Sequence, residues 1–175
     1  MAIVNIVLSD DGVNLTMTAQ GSLDFSSLTP VDSSTPLGAN AYVSPGFKVY
    51  GWDYGADGGD RYAVSVSGTL TGMGQTNNPA DAVGTTTPFA VIGDAMSNNV
   101  FVYVPPGSPK TIAGIDNTAT FNGVTLSSLG MVAGESITFS WADDSIQVMT
   151  VPEPSSYALV ASLLAVACLA LRRCC

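Results

Sequence analysis

The stretch "AIVNIVLSDDGVNLTMTAQGSL", residues 2–23, reads as a β-hairpin. Its first arm (2–9) is rich in β-branched residues, and Asp10-Asp11-Gly12 supplies turn chemistry. In the second arm Val13, Leu15, Met17 and Ala19 alternate with Asn14, Thr16, Thr18 and Gln20. Successive side chains of a strand point to opposite faces, so this period of two gives the sheet one apolar and one polar face.

The same alternation recurs along the chain. "FKVYGW" (47–52) and "RYAVSVSGTL" (61–70) flank a Gly/Asp loop, and further strands are expected at 87–92, 99–104, 110–115, 118–126, 136–141 and 145–151. Segments 28–46, 71–86 and 105–109 read as loops. About ten short strands at roughly 8–12-residue intervals, without an amphipathic helix, predict an all-β body. The expected architecture is an antiparallel β-sandwich, Ig-like or jelly-roll-like, followed by one C-terminal transmembrane helix. Pro152 and Pro154 mark a change of composition, which divides the chain into a body (1–150) and a tail (151–175).

Charge is distributed unevenly between the two parts. The body holds three basic residues (Lys48, Arg61, Lys110) against thirteen acidic ones, a net charge of −10, while Arg172 and Arg173 close the tail. Nucleic acids are bound through clusters of Lys and Arg, so a body this acidic is not a nucleic-acid partner. Histidine is absent, which removes the usual general base at neutral pH and the commonest zinc ligand. Cys168, Cys174 and Cys175 all lie in the tail, so the body has neither thiol nor disulfide.

The tail, "VPEPSSYALVASLLAVACLALRRCC", carries no charge from Ser155 to Leu171. Seventeen helical residues span roughly 25 Å, slightly less than the ~30 Å hydrocarbon core of a bilayer. Tyr157 suits the interface at one end, and the two arginines can snorkel at the other. By the positive-inside rule Arg172 and Arg173 stay cytoplasmic and the body lies outside. The two prolines of Pro152-Glu153-Pro154 fix φ and remove backbone donors, leaving an extended segment open to a protease.

Val151-Pro152-Glu153-Pro154-Ser155, the apolar run and the terminal Arg172-Arg173 together resemble the PEP-CTERM sorting signal of exported bacterial proteins. The resemblance covers about 25 residues. It implies export, a sorting intermediate held in the inner membrane by residues 155–171, and processing at the motif by an exosortase of a Gram-negative host. Pro152, Glu153, Pro154 and Ser155 would then be the sorting and processing motif, and Arg172 and Arg173 the cytoplasmic stop. The class is associated with the cell surface, extracellular matrix, exopolysaccharide and biofilm. It usually carries a signal peptide, which "MAIVNIVLSDD" (1–11) does not resemble; the expectation is a true start upstream of Met1, with an unusual signal-less protein as the alternative.

Within the body, "YGWDYGADGGDRY" (50–62) is the stretch richest in chemistry. Asp53, Asp57 and Asp60 offer hard oxygen ligands for Ca²⁺, although the spacing is not that of an EF-hand and a solvated hairpin loop has the same composition. Tyr50, Trp52 and Tyr54 are candidates for stacking on sugar rings, against the competing reading that Tyr50 and Trp52 share a strand face and belong to the core. Trp141 likewise reads as core, and the adjacent Asp143 and Asp144 point to opposite faces of a strand, unlike a carboxylate pair working together. No catalytic set can be assembled from these residues. The expectation is a non-enzymatic exported protein, structural or adhesive at the cell surface, with a lectin-like module for exopolysaccharide as the alternative.

Overall fold

The structure, a computed structural model, describes residues 3–31, 41–44, 49–52, 59–70, 78–84, 87–93, 99–142 and 144–151. The described residues are all-β: β1 (Ile3–Asp10), β2 (Leu15–Asp24), β3 (Tyr42–Ser44), β4 (Val49–Trp52), β5 (Asp60–Thr69), β6 (Asn78–Pro79), β7 (Ala82–Gly84), β8 (Phe89–Gly93), β9 (Val100–Val104), β10 (Thr111–Phe121), β11 (Ser136–Trp141) and β12 (Asp144–Val151). They form one sheet in the order β6-β3-β4-β8-β9-β5-β11-β12-β1-β2-β10-β7.

The opening hairpin forms in the expected phase. Val4, Ile6 and Leu8 of β1 and Leu15, Met17 and Ala19 of β2 are fully buried, and Leu8 pairs with Met17 across the ladder. Val13 departs from the pattern: it lies in the turn and is exposed. Three further differences from the sequence expectation concern pairing. Segments read as loops contribute the short strands β3, β6 and β7. The two strands expected at 110–115 and 118–126 are one strand, β10, interrupted by a bulge between Ile112 and Ile115 where Gly114 takes φ 70°. The extra residues at a bulge bend the strand without ending it.

The third difference is that the sheet is mixed. Every pair is antiparallel except β1 with β12, which run parallel from Ile3↔Ser145 to Ser9↔Val151. A parallel pair needs a long crossover. Here the whole chain between the first and last of these strands supplies it.

Two strand-switching segments curl this sheet around a single core. Residues Asp60–Val64 of β5 pair with β9, whereas Ser65–Thr69 pair with β11. On the far side β6 and β7, the two ends of the strand order, are separated only by Ala80 and Asp81. The Ala80 amide donates to the Ala41 carbonyl and the Asp81 amide to the Thr120 carbonyl, both at 2.8 Å, tying one half of the sheet to the other. Side chains from both halves fill the interior, among them Tyr50, Trp52, Phe89 and Val102 from one and Ile6, Leu15, Phe121, Phe139 and Ile146 from the other. Tyr50 reaches Phe139 across it, with ring centroids 6.5 Å apart.

Close packing of strands leaves Gly21 no alternative. It pairs with Val4 on one side and Ile115 on the other at φ 141°, and a Cβ there would strike the Ile3 carbonyl oxygen. No helix among the described residues is long and apolar enough to cross a membrane, and the helix expected over 155–171 lies outside them.

Candidate functional site at the strand end that carries the tail

The described chain stops on β12, a central strand flanked by β11 and β1. Its last residue, Val151, is still in register with Ser9, and Pro152 follows immediately. Proline has no amide, so Pro152 has no N–H to give to a neighbouring strand. The root of the tail is therefore fixed by the sheet to the residue before the motif.

β11 begins at Ser136, opposite Met149, and cannot hold the last two residues of β12. The loop before it does so instead, through Thr150. The Thr150 amide donates to the Glu135 carbonyl at 3.0 Å, and its carbonyl accepts from the Gly134 amide at 2.9 Å. The hydroxyl donates to the Val132 carbonyl at 2.6 Å and accepts from the Glu135 amide at 3.1 Å. At 2% exposure this threonine is buried, and the loop is clamped over it.

The neighbouring turns are held in the same way, by carboxylates that accept backbone N–H bonds. Asp10, buried at the end of β1, accepts from Gly12 at 3.2 Å and from Leu126, fixing the loop that inserts Leu126, Leu129 and Met131 into the core. Asp11 accepts from Val13 (2.9 Å) and Asn14 (2.7 Å), and these amides hold its carboxyl below the usual value. Asp81 accepts from Asn122 at 2.6 Å, and the Asn14 side chain accepts from Gly123 at 3.0 Å. None of these long-range partners was readable from the sequence.

The motif itself (Pro152, Glu153, Pro154, Ser155) and Arg172 and Arg173 lie outside the described residues, as do Asp53, Tyr54 and Asp57 of the Gly/Asp loop. Asp60 opens β5, half-buried and opposite Val104. The strands that flank the loop are not neighbours: β8 and β9 lie between β4 and β5, so β4 and β5 do not form the hairpin expected there. Among the described residues no group of three acids, histidines or cysteines converges on a point.

The two described rings of the stacking set are interior. Tyr50 is fully buried and Trp52 is 1% exposed, with Trp52 tilted against Phe89 at 5.5 Å. Neither presents a face to a sugar at the surface, which corrects the stacking expectation for these two and agrees with the core reading. Among the described residues the Tyr50 hydroxyl and the Trp52 Nε1 have no hydrogen-bond partner, and burial drives the phenol's pKa upward.

Trp141 and Asp144 belong to the opposite end of the body, where β2 ends. Phe25 is stacked between Tyr62 (4.8 Å) and Trp141 (5.2 Å). The Trp141 Nε1 donates to the Asp24 carbonyl at 2.7 Å, and the Asp24 amide donates to the Asp144 carboxylate at 2.6 Å. Asp144 also accepts from its neighbour Ser145 at 2.9 Å, and desolvation pushes its carboxyl up. With both carboxylate oxygens engaged by backbone amides, Asp144 is a tie between strand ends. Asp143 lies outside the described residues.

Comparison with protein-family models, curated proteins and solved structures finds no match to this chain.

Proposed function

We propose that this is an exported cell-surface or extracellular-matrix protein, sorted through its C-terminal tail. In this reading residues 155–171 hold it in the inner membrane, Arg172 and Arg173 stop transfer, and an exosortase acts at Pro152-Glu153-Pro154-Ser155. The observation that supports it is the register of β12: the described ladder runs to Val151, and the motif begins at the next residue. A cut there would free the body with every described strand intact. The curled sheet would serve as a sandwich-like body of Ig or jelly-roll type, structural or adhesive in an exopolysaccharide or biofilm matrix and without enzymatic activity. Its acidity suits a hydrated matrix and disfavours nucleic acid.

A lectin-like role has less support, because Tyr50 and Trp52 are interior. Deletion of 152–154 in a host with an exosortase tests the sorting proposal. The deleted form should accumulate in the inner-membrane fraction, while the intact form is released; equal release of both would refute it.

A further inference from the structure

We propose that the end of the body formed by the β1–β2 turn and the 122–135 loop is a membrane-contacting face, with Val13 and Val132 seated in the interfacial layer of the bilayer that holds the tail. This rests on the reading of residues 155–171 as a membrane segment. Between Val151, fixed in the ladder opposite Ser9, and the uncharged run beginning at Ser155 there are only three residues. Four steps at no more than about 3.6 Å put Ser155 within roughly 14 Å of the sheet end. The polar layer of a bilayer accounts for about 5–7 Å of that, so the sheet end stands less than about 10 Å above the head groups.

The turn closes this gap further. Asp10 pairs with Leu15 one step beyond the Ser9–Val151 register, and residues 11–14 project past it. Because β12 is central, the tether leaves from mid-sheet and presents this whole end of the body rather than one corner.

The chemistry of the end fits such a contact. Asp10, Asp11 and Asp81 have carboxylate oxygens engaged by backbone amides of the turns, as described above. Val13 and Val132, by contrast, are 63% and 53% exposed. Exposure alone does not single them out, since Val31 at the other end of the body is 54% exposed. Their placement beside the root of the tail does. The acidic residues of this end disfavour an anionic surface, so the partner is a zwitterionic one into which two small apolar side chains can sink.

The test uses the full chain with Cys168, Cys174 and Cys175 changed to Ser, which leaves no other thiol. Val13→Cys, Val132→Cys and, as the opposite-end control, Ser27→Cys are each labelled with an environment-sensitive fluorophore and reconstituted into phosphatidylcholine vesicles. Spin-labelled lipid should quench the labels at 13 and 132 several-fold more than the label at 27, and anionic phosphatidylglycerol should weaken that quenching without detaching the chain. Equal quenching at all three positions in chains that float with the vesicles overturns the contact and leaves the sorting proposal standing. Energy transfer between labelled copies at 132 without lipid quenching also overturns it, in favour of a face between two copies. Failure of the chain to float with vesicles overturns the tail reading and the contact together.

Discussion

The Thr150 clamp gives the most discriminating test of how the tail root is held. In Thr150→Val the side chain keeps its shape and loses only the hydroxyl. That hydroxyl makes two good bonds, to the Val132 carbonyl at 2.6 Å and from the Glu135 amide at 3.1 Å. A third contact, to the Glu135 carbonyl at 3.3 Å, draws on the same proton and adds little. At about 1 kcal/mol net for each intramolecular hydrogen bond, the loss is about 2 kcal/mol. Thr150→Ser keeps both bonds and gives up one buried methyl, about 0.8 kcal/mol.

Intrinsic strand preference predicts the opposite order, because valine is the better strand former. The assay is urea unfolding of residues 1–151, followed by the fluorescence of the buried Trp52 and Trp141. With a slope of about 2 kcal/mol per molar urea, the midpoint should fall by about 1 M for valine and by about 0.4 M for serine. A valine variant as stable as the parent, or a serine variant less stable than the valine one, would refute the clamp.

Three further outcomes follow from the core and the opposite end. Phe25→Ala should lower stability by about 3–5 kcal/mol, and Phe25→Leu by clearly less, with the near-UV signal of Trp141 lost in both because its stacking partner is gone. Asp144 has its carboxyl pKa raised by desolvation, so the folded state binds the proton more tightly than the unfolded chain does, and the stability penalty of its charge is relieved as pH falls from the raised value toward 3.8. The parent should therefore gain thermal stability relative to Asp144→Asn across that window, and a difference that stays constant with pH would count against the burial of a charge there. Gly21→Ala should abolish folded, soluble body, since both flanking strands are paired at that position; ordinary yield and melting behaviour would show that β1 can move aside.

What the sequence disclosed is what alternation can disclose. The phase of β1 and β2, the β11–β12 region and the interior placement of Trp141 follow from side chains that alternate every second residue, whereas β8 and β9 are short, nearly continuous apolar runs. β3, β6 and β7 have two or three residues each, too few to show a period, and exist because the halves of the sheet need joining. The Gly/Asp loop looked like a hairpin because composition cannot reveal that β8 and β9 insert between β4 and β5. Around the tail root, Asp10 reaches Leu126, 116 residues away, through a carboxylate that local sequence assigns to a turn. Thr150 resembled any strand threonine until its loop partners were known.

The pairing of β1 with β12 bears on where a protease can act. Ile146 and Val148 of β12 are fully buried, and the strand is hydrogen-bonded on both sides. A cut before Asp144 would remove a central strand, separate β11 from β1 and open the core; loss of two large buried side chains alone is worth about 3–6 kcal/mol. A cut after Val151 removes no bond of the described ladders. If the chain is exported as proposed, the sheet would stay incomplete until residue 151 had left the translocation machinery, because its first strand pairs with its last. Under that proposal release and folding would fall in a fixed order: the tail would enter the membrane as β12 becomes available to β1, and the closed body would present a motif that can be severed without loss of a described strand. An exosortase that cleaved within β12 would shed a body open at its centre, so the sorting proposal is consistent with a motif that begins one residue past the last described residue of the ladder.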